Sequence, residues 1–295
     1  MLSSSEDLRV ASTVRTILSL PDSVDLLLTR RTDAVSGAGR RFFRSEAKGT
    51  AFHVKVGGVL RDPLTDTLAR RLSELKCASV RFPKLYGRLD DIEVWEYLDG
   101  EAKSLHKYSP AELKALMMAV AEIEAAASDV ELPATYWMKP VGPALRRTSN
   151  AWPELAAWTS QIKHLTRWDP EIIGRSIGAC LTHNDLHSNN ILVRRGGFSI
   201  IDWESASLGA PGGSLRVFAS GPVQRRRQII TWYLQGRKRF GLKANPGDVE
   251  FSMNAHQGYW ALHMGGRQKR IDLIHRGWEI VRRLKSASSE SQQPR

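Results

Sequence analysis

The decisive stretch is Leu181-Thr182-His183-Asn184-Asp185-Leu186-His187-Ser188-Asn189-Asn190-Ile191-Leu192-Val193, followed after one hairpin by Ile200-Ile201-Asp202-Trp203-Glu204. The pattern is His-x-Asp-x-x-x-x-Asn, a strand pair, then apolar-apolar-Asp-aromatic. Between the runs Ile191-Leu192-Val193 and Phe198-Ser199-Ile200-Ile201 stands Arg194-Arg195-Gly196-Gly197. Its Gly-Gly supplies the positive φ of a hairpin turn. Phosphoryl transfer gives each polar residue a physical reason. Asp185, in a loop, can accept the proton of an attacking hydroxyl. Asn190, where the loop enters a strand, can hold Mg²⁺, and Asp202 can bind the metal that bridges the phosphates. Mg²⁺ takes hard oxygen ligands, and phosphate and water oxygens complete its octahedron. Any one of these residues alone reads as turn chemistry. The joint spacing, with apolar flanks and a Gly-Gly hairpin, does not.

Upstream the chain reads as a strand meander. A short amphipathic helix over 5–19, with Leu8, Val14 and Leu18 on one face, ends at Pro21. Strands are predicted at 24–29, 41–44 and 51–56, with turn chemistry at Ser36-Gly37-Ala38-Gly39, Lys48-Gly49 and Gly57-Gly58. A helix over 64–76 (Leu64, Leu68, Leu72, Leu75) precedes strands at 84–86 and 92–97. After Asp99-Gly100 helices dominate. Residues 110–127 form a strong one, with Pro110 in its first turn and Leu113, Leu116, Met117, Val120 and Ile123 as its stripe. Further helices are predicted near 152–166, 222–240, 248–264 and 270–286, with a polar, disordered tail beyond.

At these residues the chain resembles the aminoglycoside phosphotransferase and choline kinase family, small-molecule relatives of the protein kinases. His183-Asn184-Asp185 and Ile201-Asp202-Trp203-Glu204 resemble the choline-kinase-like spelling. His183, Asp185, Leu186 and His187, read with one gap, resemble the aminoglycoside branch. The resemblance implies an α+β, protein-kinase-like two-lobe fold. A small N-terminal β-sheet lobe with a helix (1–98) would bind nucleotide. A larger, mostly helical lobe (99–286) would carry catalysis and substrate, with 287–295 as tail. It implies transfer of the γ-phosphoryl of ATP, with Mg²⁺, to a hydroxyl of a small molecule: an amino alcohol, sugar or antibiotic. Asp185 would be the base, Asn190 and Asp202 the metal ligands, and His183 a loop-fixing residue.

The resemblance extends backwards. Lys55, flanked by β-formers, fits the strand lysine that holds the α/β-phosphates. Gly37 and Gly39 could form the loop over the phosphates. Trp95-Glu96-Tyr97-Leu98 resembles the hinge, where the backbone of Glu96 and Leu98 would meet adenine and Trp95 would wall the pocket. Three departures stand out. The helix acid that pairs with the strand lysine is represented only by Asp66 and Glu74. Asn189 replaces the usual glycine before the metal asparagine. After Gly209-Ala210-Pro211, the aspartate that ties the catalytic loop down is missing from Gly212-Gly213-Ser214-Leu215-Arg216. None of the three chemical residues is lost, which argues against a dead enzyme.

Composition bounds the rest. The chain has 295 residues, 42% hydrophobic, which excludes a disordered chain. No apolar run is long enough to span a bilayer. The start, MLSSSEDLRVAS, lacks the apolar core of a secretory signal. Cys77 and Cys180 make neither a disulfide framework nor a zinc site, so a cytoplasmic protein is expected. The net charge is +12, and residues 221–295, with fifteen Lys/Arg against five Asp/Glu, hold ten of those charges. Like charges in a partly desolvated cleft repel, so this excess counts against a polycationic substrate. It leaves nucleic acid or an anionic membrane surface open as partners, and with them a nucleotide-binding pseudokinase or scaffold reading. Trp203, Trp232, Tyr259 and Trp260 could cage a quaternary amine or serve as core. His256 and His263 are expected to be satisfied or exposed rather than metal-binding.

Overall fold

Strand alternation in the first hundred residues builds one antiparallel sheet. The structure is a computed structural model and describes residues 5–31, 40–57, 63–128 and 180–290. Helix α1 (Ser5–Leu18) precedes strands β1 (Leu26–Arg31), β2 (Arg41–Ala47) and β3 (Thr50–Val56). After α2 (Pro63–Glu74) come β4 (Val80–Arg81), β5 (Leu85–Leu89) and β6 (Ile92–Glu96). The sheet order is β1-β2-β3-β6-β5. The tight β2–β3 turn uses Lys48 at φ 50 and Gly49 at φ 73, both left-handed as a two-residue hairpin requires.

Alternation gives the sheet two faces. Phe43, Phe52, Val54, Val56, Ile92 and Val94 are buried with Val10 and Val14 of α1 in one cluster. His53, Lys55, Glu93 and Trp95 fall on the other face by the same period. Of the expected α1 stripe, Val14 is buried and Leu18 packs partly against the same cluster, while Leu8 is 60% exposed. Val10, one turn before Val14, takes its place on the sheet.

The helical part begins at α3 (Pro110–Ala126), whose start is a reciprocal cap. Ser109 Oγ accepts the Glu112 N–H, and Glu112 Oε2 accepts the Ser109 N–H. Then follow β8 (Cys180–Thr182), β9 (Ile191–Arg194), β10 (Gly197–Ile200), β11 (Ser207–Gly209), α4 (Val223–Arg239), α5 (Pro246–Gln268) and α6 (Ile271–Glu290). Strand β7 (Glu101–Ala102) lies just before α3. Helix α6 continues through Glu290, four residues past the boundary expected for the tail. Its last turns, Ser286-Ala287-Ser288-Ser289-Glu290, contain neither Gly nor Pro to stop it. The helix predicted at 152–166 lies outside the described residues.

Two short strands stitch the halves together. The β9–β10 hairpin is flanked by β4 on one side and β7 on the other. A Cβ on Gly100 (φ 148) would stand 2.8 Å from Leu192 Cβ, and one on Gly197 (φ 155) would stand 2.2 Å from the Ser79 carbonyl oxygen. Glycine is therefore required where each strand meets the hairpin. Leu68, Leu72, Val80 and Phe82 precede residue 98, yet share the larger core with Leu116, Ile191, Ile200, Leu215 and Tyr233. The two lobes therefore meet through a continuous apolar contact.

Candidate active site

The loop between β8 and β9 is held open by side-chain hydrogen bonds. His183 is buried. Its Nε2–H donates to the Ile201 carbonyl at 2.9 Å, and its Nδ1 accepts the Asp185 N–H at 3.3 Å, which fixes the neutral tautomer. Burial keeps this imidazole below the ordinary histidine range. Asn184 sits at φ 61, in the left-handed region. Its amide donates to the Ser205 carbonyl and Ser207 Oγ, both at 2.8 Å. Asn190 Nδ2 donates to the Asp185 carbonyl at 2.9 Å. The Ile201 N–H donates to the Asn190 carbonyl at 3.1 Å, so the hairpin brings Asn190 beside Asp202.

Asp185 has two cationic or dipolar neighbours. Arg216 Nη2 donates to its Oδ1 at 2.7 Å, and His187 Nε2 stands 3.4 Å from Oδ2. Burial raises this carboxyl, and His187 and Arg216 outweigh it, so the group lies below the ordinary aspartate range.

From the sheet, Lys55 Nζ reaches Asp202 Oδ1 at 2.5 Å, with the Trp95 ring centroid 5.7 Å away. Asp202 is left-handed at φ 65. Burial opposes the charge on both partners. Asp202, Glu204 and Glu93 nonetheless raise the ammonium, and Lys55 keeps the Asp202 carboxyl low. A second ion pair, Arg40 with Glu204, crosses the same cleft. Two cations from the sheet side thus meet two acids that follow the hairpin. His53, beside Lys55, is pushed down to about 4, first by burial and then by the Lys55 charge.

The structure brings Lys55, Asp185, Asn190 and Asp202 together and places Trp95 on the Lys55 face of the sheet. Gly37 and Gly39 lie outside the described residues. At the expected hinge, the Glu96 N–H donates to the Lys84 carbonyl at 2.7 Å and its carboxylate accepts from Arg81 at 2.5 Å. An adenine contact at Glu96 is thereby confined to its carbonyl. Leu98 is buried. Of the two acids considered for Lys55, exposed Glu74 pairs with Arg71 at 3.6 Å, and the Asp66 side chain lies outside the described residues.

Sequence reasoning missed several site residues. Where the expected aspartate is absent after Gly209-Ala210-Pro211, two neighbours bond to the loop. Ser214 Oγ accepts the His183 N–H at 3.1 Å, and Arg216 Nε donates to the Asn184 carbonyl at 3.0 Å. A lone arginine inside the apolar run Leu215-Arg216-Val217-Phe218 was the available signal. The aromatic cage is not formed by the described members. Trp203 is core, with Nε1 donating to the Ile200 carbonyl at 2.8 Å. Trp232 packs against the large core. Trp260 already has a cation, the Arg216 guanidinium, 4.6 Å from its ring centroid. Tyr259 and His263 have no described side chain. His256 is buried, and burial pushes it down to about 3. Many basic residues of the last quarter are occupied. Arg225 donates to the Leu105 carbonyl, Arg226 to Glu250, and Arg237 to Glu124.

An antiparallel sheet lobe, a helical lobe and a polar loop between them define a protein-kinase-like fold. Residues 41–213, more than half of the chain, match the model of the phosphotransferase enzyme family. The chain belongs to that family and is a phosphotransferase of the small-molecule kinase class. Similar solved structures share the fold at low identity. A choline kinase from Cryptosporidium parvum is 11% identical with a TM-score of 0.67, over 97% of this chain and 96% of that one. A choline kinase from Streptococcus pneumoniae is 14% identical with a TM-score of 0.66, over 94% and 99%. A gentamicin complex of APH(2")-IIa is 16% identical with a TM-score of 0.63, over 95% and 97%. No curated protein sequence matches the chain. Among the described residues no helix is long and apolar enough to cross a membrane, and no group of three or more His, Cys, Asp or Glu could hold a metal ion.

Proposed function

We propose that the protein moves the γ-phosphoryl group of ATP to a hydroxyl of a small molecule, with Asp185 as the proton acceptor. The carrying observation is the convergence of Lys55, Asp185, Asn190 and Asp202 on one cleft, from a strand, a loop and a hairpin. Lys55 would hold the α/β-phosphates, and Trp95, Leu98 and the Glu96 carbonyl would border the adenine. Gly37 and Gly39 would belong to the loop over the phosphates. Asn190 and Asp202 offer carboxamide and carboxylate oxygens, a hard donor pair that suits Mg²⁺. The metal would neutralise charge on the transferring phosphoryl group.

In the transfer, the acceptor proton passes to Asp185 Oδ2. The acceptor oxygen forms its bond to the γ-phosphorus, and the bond to the β–γ bridging oxygen breaks, so ADP leaves with that electron pair. Lys55 must release Asp202 to engage phosphates, and nucleotide binding would exchange one ion pair for others. A coupled ADP-release assay over amino alcohols, aminoglycosides, sugars, nucleosides and other antibiotics tests the reading. Mg²⁺-dependent release above the water background on at least one acceptor is expected. Background rates across the whole panel would reject it.

A further inference from the structure

The segment Gly213–Phe218 adds further ties to the loop that carries Asp185. Ser214 holds the His183 N–H. Arg216 alone touches two consecutive loop residues, with Nε on the Asn184 carbonyl at 3.0 Å and Nη2 on Asp185 Oδ1 at 2.7 Å. A guanidinium is a rigid planar fork, so these two bonds fix the angle between backbone and carboxylate. Asn184 at φ 61 presents its carbonyl in an orientation that most residues avoid, and Arg216 is a partner that rewards it. The arginine is itself immobilised, because its side chain is 5% exposed and its guanidinium lies over the Trp260 ring.

We infer that Arg216 is the positioning residue for Asp185: by holding Oδ1 at 2.7 Å it presents Oδ2, whose one described side-chain neighbour is His187 Nε2 at a looser 3.4 Å, to the acceptor hydroxyl. This rests on the reading of Asp185 as proton acceptor. An arginine also weakens a carboxylate as a base. Phosphoryl transfer passes through a loose transition state in which positioning dominates, and a misplacement of about 1 Å can cost about 100-fold. Positioning therefore outweighs the lost basicity, and removal of the arginine slows turnover.

The test uses the full chain, MgATP, and whichever panel acceptor gives the greatest ADP release, or water where none exceeds it. Arg216→Lys keeps the charge but cannot span both partners. It should lower kcat by about 10- to 100-fold with KM for MgATP changed less than about twofold. Arg216→Ala should lose more, and added guanidinium at low millimolar concentration should restore part of it. Wild-type kcat in Arg216→Lys alongside an inactive Asp185→Asn would overturn the inference and leave the proposed function standing. Undiminished turnover in Asp185→Asn would instead remove the proposed function. A crystal structure with MgADP gives a readout independent of turnover. Arg216 should remain within hydrogen-bond reach of Asp185 Oδ1, and a guanidinium swung out of reach would overturn the inference.

Discussion

Two arginine–carboxylate pairs in the helical part of the chain have opposite settings. Glu124 of α3 pairs with Arg237 of α4, and the two side chains are 1% and 6% exposed. Asp185 pairs with Arg216, and the carboxylate is 35% exposed while its arginine is buried. Tyr233 Oη donates to both Glu124 oxygens at 2.7 Å and accepts the Gly212 N–H at 3.0 Å, so the first pair is enclosed in a buried network. Burial there pushes the Glu124 carboxyl up despite its partners, whereas Asp185 is held down. The same residue pairing thus locks helices in one place and aims an accessible oxygen in the other. Access to the cleft makes the difference.

The comparison breaks if the two pairs fail in the same way. Asp185→Asn should reduce kcat by roughly 10²- to 10⁴-fold with a smaller fall in urea midpoint than the enclosed pair shows, because its 35%-exposed site lets water reach the stranded guanidinium, as measured by ADP release and equilibrium unfolding. Glu124→Gln should do the reverse. It strands a buried Arg237 and should cost about 3–5 kcal/mol of stability, while the folded enzyme keeps its KM for MgATP. A Glu124→Gln protein as stable as wild type would show that the enclosed network is dispensable.

Histidines on either side of the cleft sharpen the pH dependence. His53 and His256 have folded values of about 4 and about 3, below the ordinary 6.5. Between pH 6.5 and those values the unfolded chain binds protons that the folded chain refuses. Stability is therefore lost as pH falls, by up to about 1.4 kcal/mol per unit per group, and neither group contributes above about pH 7. Urea midpoints should fall steeply from pH 6.5 to 4.5, and His53→Gln should flatten part of that slope.

Smaller effects follow at the cleft edge and the surface. Lys55→Ala removes a charge-assisted contact to phosphate, worth about 1.5–3 kcal/mol, so kcat/KM for MgATP should fall at least about tenfold. Arg9 and Asp91, 2.6 Å apart and both well exposed, should contribute under ~1 kcal/mol. A thermal melt of Arg9→Ala indistinguishable from wild type would fit, and a large drop would show that α1 is anchored by charge rather than by Val10 and Val14.

The long elements and the polar residues that meet in the cleft were legible because their signals are local. Helix α3 carried its own stripe and first-turn proline, and strands β2 and β3 their alternation. Asp185, Asn190 and Asp202 were marked by spacing around a Gly-Gly hairpin. The two- and three-residue strands β4, β7, β8 and β11 have too little length for any period, and they exist because the β9–β10 hairpin and the loops around it supply partners. Arg216 belongs to the same category. Nothing beside it in sequence indicates that it faces Asp185, thirty-one residues away.

The sequence by itself determined the fold class, the family and the four polar residues of the cleft, because hydrophobic period, turn chemistry and motif spacing act over a few residues. Only the tertiary structure decided that Val10 rather than Leu8 joins the buried stripe of α1, that Lys55 meets Asp202, that Trp260 stacks on Arg216 instead of joining a cage, and that Ser214 and Arg216 bond to the loop where an aspartate was expected. Those outcomes depend on which groups burial brings within hydrogen-bond reach, and desolvated polar groups accept whatever partner the packing presents.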